Sequence, residues 1–171
     1  QEGMKRLVKK LANYKNMQAL TWKFVRCQGL TNTIPMENLL YFPQIHVLKY
    51  LRLGLIYDLL RENLRKKSTQ FFQQLRCLKE LWIEFSVNSG PLDEFANWIY
   101  EDISQVKTLK FLRIEFLGLS NPIVDRAFMG LPDLLGKLNN LTSFHIVSFY
   151  SEELGEQAPQ YISQAIKAAK L

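Results

Sequence analysis

The sequence predicts an α/β solenoid of about five strand-helix repeats of ~31 residues, with the strands side by side in one parallel sheet and the helices on its far face. Three observations carry this expectation. An apolar motif recurs at near-constant spacing along 171 residues, apolar positions alternate inside each copy, and helix-start signals fall between copies.

The motif occupies residues 17–24, 48–55, 78–85, 109–116 and 141–148, and is clearest in Leu78-Lys-Glu-Leu-Trp-Ile-Glu-Phe85 and Leu109-Lys-Phe-Leu-Arg-Ile-Glu-Phe116. Its fourth positions are Leu20, Leu51, Leu81, Leu112 and Phe144, spaced 31, 30, 31 and 32 residues apart. An apolar or aromatic residue also stands three positions ahead of each copy: Tyr14, Ile45, Leu75, Val106 and Leu138. Across these anchors only Ser148 is not apolar, far more than the 47% apolar background supplies. Within each copy the fourth, sixth and eighth positions alternate with residues of every kind, the period of a strand with one buried face.

Taken in order, residues 5–12 read as a helix before the first strand. After the second strand, Asp58 is placed to cap a helix carrying Leu59, Leu60, Leu64, Phe71 and Phe72. Asn88 or Ser89 with Pro91 opens the next, with Leu92, Phe95, Trp98, Ile99 and Ile103 on its apolar stripe; proline's missing N–H costs nothing in a first turn. Asn121-Pro122 repeats the device ahead of Phe128, Leu131, Leu134 and Leu135, with Pro132 expected to interrupt or kink the helix. Pro159 precedes Ile162, Ala165, Ile166 and Ala169. No single repeat has core enough to fold alone, so the units must stack on one another.

Composition narrows the function classes. The chain is 47% apolar and 22% charged, a packed single domain over residues 1–171, without an apolar run long enough to span a membrane. Cys27 and Cys77 are too few for a disulfide framework or a zinc site, and no secretory signal pattern opens the sequence, so an intracellular, cytoplasmic setting is expected. Residues 1–85 hold 15 Lys/Arg against 6 Asp/Glu, whereas residues 86–171 hold 7 against 10. The basic end is suited to an acidic partner.

No catalytic constellation emerges. His46 and His145 lie about 100 residues apart, and there is no glycine-rich phosphate loop, His-Glu-x-x-His, Cys-x-x-Cys or Gly-x-Ser-x-Gly. Glu101-Asp102 and Glu152-Glu153 are helical neighbours that point different ways. Trp22 and Trp98 read as core, which leaves Trp82 as the informative tryptophan. The expectation is a protein that is not an enzyme, with no cofactor, metal or small-molecule substrate.

The run Leu-x-x-Leu-x-Ile-x-Phe, with helices between copies, resembles that of leucine-rich-repeat proteins over residues 5–171, and is most similar to the long-repeat, ribonuclease-inhibitor-like subclass. That resemblance implies a curved solenoid, its sheet concave and its helices convex, and a docking surface on the concave side. The family's GTPase regulators and ubiquitin-ligase receptors share the fold, but no motif here selects among them. The repeats are degenerate: where the family places Asn or Cys at the ninth position, this chain has Val25, Ile56, Ser86, Leu117 and Phe149, so turns held by packing rather than by side-chain hydrogen bonds are expected. Neither end carries an obvious polar cap, which suggests a segment of a longer solenoid.

The residues between the anchors form the candidate site. Tyr50, Arg52, Trp82, Glu84, Phe111, Arg113, Glu115 and His145 place aromatic and arginine side chains, the types enriched in interface hot spots, on the exposed sheet. The glutamates lie within reach of the arginines and read as surface pairs of small energetic value. The expected function is a protein-protein interaction scaffold in a larger assembly. The alternative is a nucleic-acid or acidic-polymer contact through Arg61, Arg65, Lys66 and Lys67, which lack interleaved aromatics for base stacking.

Overall fold

The computed structural model describes residues 2–11, 13–14, 16–22, 45–57, 62–87, 92–117, 121–149 and 155–169. Helix α1 (Glu2–Leu11) comes first, then β1 (Ala19–Trp22), a 3-10 turn (Ile45–Val47), β2 (Tyr50–Tyr57), α2 (Glu62–Gln74) and β3 (Glu80–Val87). Helix α3 (Leu92–Ile103), β4 (Phe111–Leu117), α4 (Asn121–Phe128), α5 (Leu131–Lys137), β5 (Ser143–Phe149) and α6 (Ala158–Ala168) follow. The strands form one sheet in the order β1-β2-β3-β4-β5, every neighbouring pair parallel.

Pairing follows the spacing of the sequence motif. Leu20, Leu51, Leu81, Leu112 and Phe144 lie in one row across the sheet, and Trp22, Leu53, Ile83, Ile114 and Ile146 in another. A one-residue slip would turn every such side chain to the opposite face, so burial of one face fixes the register.

All five described strands are preceded by one and the same turn. The N–H groups of Met17, Leu48, Leu78, Leu109 and Leu141 donate to the carbonyls of Tyr14, Ile45, Leu75, Val106 and Leu138, at 3.1 to 3.4 Å. One residue further on, the carbonyls of Gln18, Lys49, Lys79 and Lys110 each accept two N–H groups from the following strand. Side chains reinforce the later turns. Thr108 Oγ1 donates to the Leu78 carbonyl at 2.6 Å, Asn140 Nδ2 to the Lys107 carbonyl at 2.8 Å and Thr142 Oγ1 to the Lys110 carbonyl at 3.0 Å. Polar ties thus sit where the chain enters each of the last two strands; the turns that follow the strands, next to the ninth motif position, lie outside the described residues.

The core lies between the sheet and the helices. Phe85 on β3 packs edge-on against Phe95 and Tyr100 of α3 and stacks on Phe116 of β4, which in turn meets Phe128 of α4. Each fully buried side chain of this size contributes about 1.5–3 kcal/mol, which is why a repeat stabilises only in company.

Helix predictions hold at their apolar stripes. Phe71 and Phe72 of α2, and Phe95, Trp98, Ile99 and Ile103 of α3, are buried. Pro132 stands at an interruption of the helical stretch, as expected, and not at a kink. It stands in the first turn of α5, and Gly130 is the N-cap that separates α5 from α4. A Cβ on Gly130 would collide with Asn97 Oδ1 and come within 3.0 Å of Tyr100 Cδ2, so the missing side chain is what lets the turn press onto α3. Tyr14 departs from its expected burial, being 62% exposed, as does Ile166 at 62%. Phe144 and Ile146 are half-buried because β5 is an outer strand of the described sheet. Phe24, Asp58, Leu59, Leu60, Asn88, Ser89 and Pro91 lie outside the described residues.

Candidate functional site

Period-2 alternation turns Leu81, Ile83 and Phe85 into the core, which leaves Glu80, Trp82 and Glu84 of β3 on the opposite face. On β4 the same rule leaves Phe111, Arg113 and Glu115 there. Parallel register then aligns Arg52, Trp82, Arg113 and His145 in one row over β2 to β5, and Tyr50, Glu80, Phe111 and Ser143 in the row before it.

Trp82 is the centre of this face. Arg52 from β2 places its guanidinium carbon 3.4 Å from the ring centroid, and Arg113 from β4 places its own at 4.3 Å. Because these strands flank β3 on either side, the indole is held between two cations, an arrangement worth about 0.5–2 kcal/mol for each contact. Its Nε1–H is buried without a hydrogen-bond partner among the described residues. Beside this stack, Phe111 and His145 lie ring against ring with centroids 5.1 Å apart.

Glu84 and Glu115 differ from their expected role as solvated surface charges. They are 1% and 4% exposed. Arg52 pairs with Glu84 across the β2–β3 boundary, opposite Gly54, which has no side chain to occupy the space. Arg113 donates from Nε to Glu115 Oε1 at 2.8 Å along its own strand. Each arginine thus makes two contacts at once, with an acid beneath it and an aromatic ring beside it. Sequence spacing showed that these pairs are within reach, but not that they are buried, since burial depends on what lies above the sheet.

Lys49, Lys79 and Lys110 stand immediately before β2, β3 and β4, one per strand, and form no ion pair among the described residues. Tyr50 is half-buried and His145 exposed.

The alternative basic stripe is described only in part. Arg65 forms an ion pair with Glu101 of α3 at 3.1 Å, and Lys66 is exposed. Arg61 and the side chain of Lys67 lie outside the described residues. Among the described residues no group of His, Cys, Asp and Glu is arranged to hold a metal ion, and no helix is long and apolar enough to cross a membrane.

One polar cluster on the helical layer escaped sequence reasoning. Asp102 of α3 is buried and accepts hydrogen bonds from Ser68 Oγ at 2.5 Å and Thr69 Oγ1 at 2.8 Å, both on α2, with the Trp98 indole N–H nearby but outside hydrogen-bonding geometry. Burial raises its pKa above the ordinary value, and the two hydroxyl donors partly offset that rise. Its neighbour Glu101 points outward to Arg65, so the two adjacent acids do face different ways. This is an interhelical tie rather than a reaction centre.

No protein-family model matches the chain, and no curated protein matches it. Among solved structures, the tropomodulin C-terminal domain of Caenorhabditis elegans superposes with a TM-score of 0.48 at 10% sequence identity, over 97% of this chain and 93% of that one. A likeness at that level carries no inference about function.

Proposed function

We propose that this chain is a long-repeat, leucine-rich-repeat-type solenoid that acts as a non-enzymatic docking module in a larger assembly, binding another protein through the open face of its sheet. One observation carries the reading: the Arg52–Trp82–Arg113 stack, flanked by Tyr50, Phe111 and His145, on rigid strands. Aromatic and arginine side chains already fixed in place lose little entropy on binding and bury much area. The turn repeated before every strand supports the stacked-unit reading, because like units laid side by side build a broad, continuous face.

The test must spare Arg113, whose loss would strand the buried Glu115. Tyr50→Ser with Phe111→Ser changes two half-buried side chains that hold no buried charge. The tagged variant should lose the proteins recovered with the wild type from native extract, while Lys66→Ser with Lys167→Ser, both exposed on helices, should retain them. Equal recovery with the face variant would refute the reading.

A further inference from the structure

We infer that the partner segment taken up by this face is an acidic, extended peptide whose carboxylates are received by the row of Lys49, Lys79 and Lys110. The inference rests on the sheet-face reading and adds the partner's chemistry to it. Successive lysines stand on neighbouring parallel strands, so their backbones are about 4.8 Å apart and the row spans about 10 Å. None is neutralised by an ion pair among the described residues. Of the described acids on this face, Glu84 and Glu115 are buried beneath arginines, which leaves Glu80 against three lysines. The rim therefore presents uncompensated positive charge beside a half-exposed aromatic strip.

A nucleic-acid strand is the competing polyanion, and the geometry of Trp82 argues against it. Base recognition on an open sheet uses aromatic rings with a free face for stacking. Here Arg52 and Arg113 lie against the central indole from both flanking strands, and Phe111 is already engaged by His145. Carboxylates need only the lysine charges and the remaining guanidinium N–H groups, and both are in place.

The probe is a fluorescein-labelled glutamate-rich peptide of about six residues, about 20 Å when extended and so matched to the sheet's width of about 19 Å. Its binding to the whole chain is followed by fluorescence anisotropy at low salt. Lys49→Glu, Lys79→Glu and Lys110→Glu together should weaken binding about tenfold or more, whereas Lys66→Glu, Lys137→Glu and Lys167→Glu, with the same change in net charge, should weaken it much less. Should the first variant fail to fold by circular dichroism, the same lysines changed to Gln are compared with Lys66→Gln, Lys137→Gln and Lys167→Gln by the same criterion. Equal weakening by both sets would overturn the inference by making the attraction a property of overall charge. So would a single-stranded oligonucleotide of equal charge that binds more tightly than the peptide. If native partners are lost with Tyr50→Ser/Phe111→Ser but kept with the lysine triple, the acidic-peptide inference falls while the sheet-face reading stands; if they are kept with both, the sheet-face reading falls.

Discussion

Arg113 lies over Trp82 with its guanidinium carbon 4.3 Å from the ring centroid while its Nε holds Glu115 at 2.8 Å. Glu115 is 4% exposed, and this arginine is its ion-pair partner. Removing one partner of a buried pair leaves an uncompensated charge, at a cost of about 3–5 kcal/mol, whereas replacing both by apolar groups is often neutral. Arg113→Met should therefore lower the unfolding free energy by about 3 kcal/mol, and Arg113→Met with Glu115→Leu should recover most of that loss. Urea denaturation of the four members of the cycle measures it. Additive losses would mean that the two residues do not depend on each other.

Gly130 makes a second, purely steric prediction. A methyl group there would overlap Asn97 Oδ1 and stand 3.0 Å from the Tyr100 ring. Tyr100 is buried and cannot retreat, so Gly130→Ala should cost about 1–3 kcal/mol as an overpacking change. Much of the cost should vanish in the presence of Asn97→Ala, which removes the nearer obstacle. Comparing midpoints of denaturation for the single and double variants decides it; a Gly130→Ala variant as stable as the wild type would contradict the close approach.

Legibility in the sequence followed from what repeats. The strands, their register and the stripes of α2 and α3 were readable because Leu51, Leu81 and Leu112 recur at a spacing that leaves one strand pairing able to bury them together. The face was readable by subtraction: residues that alternate with buried anchors must point the other way. What escaped were properties that arise once and depend on three dimensions. Nothing around Glu84 distinguishes a buried acid from a solvated one, because its burial is set by Arg52, a full repeat away. Asp102 was invisible for the same reason, since Ser68 and Thr69 reach it from another helix. Tyr14 fits its column by residue type, yet it sits where the first repeat has no described repeat in front of it to cover the ring.

Asp102 yields a prediction in pH. Its pKa in the folded protein is raised, chiefly by burial, so the folded state binds its proton more tightly than the unfolded chain does. The ionised group consequently opposes folding at neutral pH. That opposition fades as pH falls through the raised folded pKa, and is gone below the ordinary value of 3.8. Asp102→Asn should gain stability relative to the wild type near pH 7, with the gap narrowing as pH falls toward 4. Denaturation series of both proteins across that window provide the check; a gap independent of pH would show that Asp102 titrates normally in the folded state.

Tyr100 supplies the corresponding test on the alkaline side. Its hydroxyl is buried without a hydrogen-bond partner among the described residues, and burial raises its pKa far above the ordinary 10.0. At neutral pH an unpartnered buried hydroxyl is a liability, so Tyr100→Phe should leave stability within about 1 kcal/mol of the wild type or raise it. Above pH 10 the unfolded chain ionises this phenol while the folded protein does not, which draws the equilibrium toward unfolding. The wild type should accordingly lose stability with rising pH faster than Tyr100→Phe. Parallel slopes for the two proteins above pH 10 would mean that the Tyr100 hydroxyl reaches water, and with it that α3 and the turn at Gly130 do not close over the ring as tightly as their contacts require.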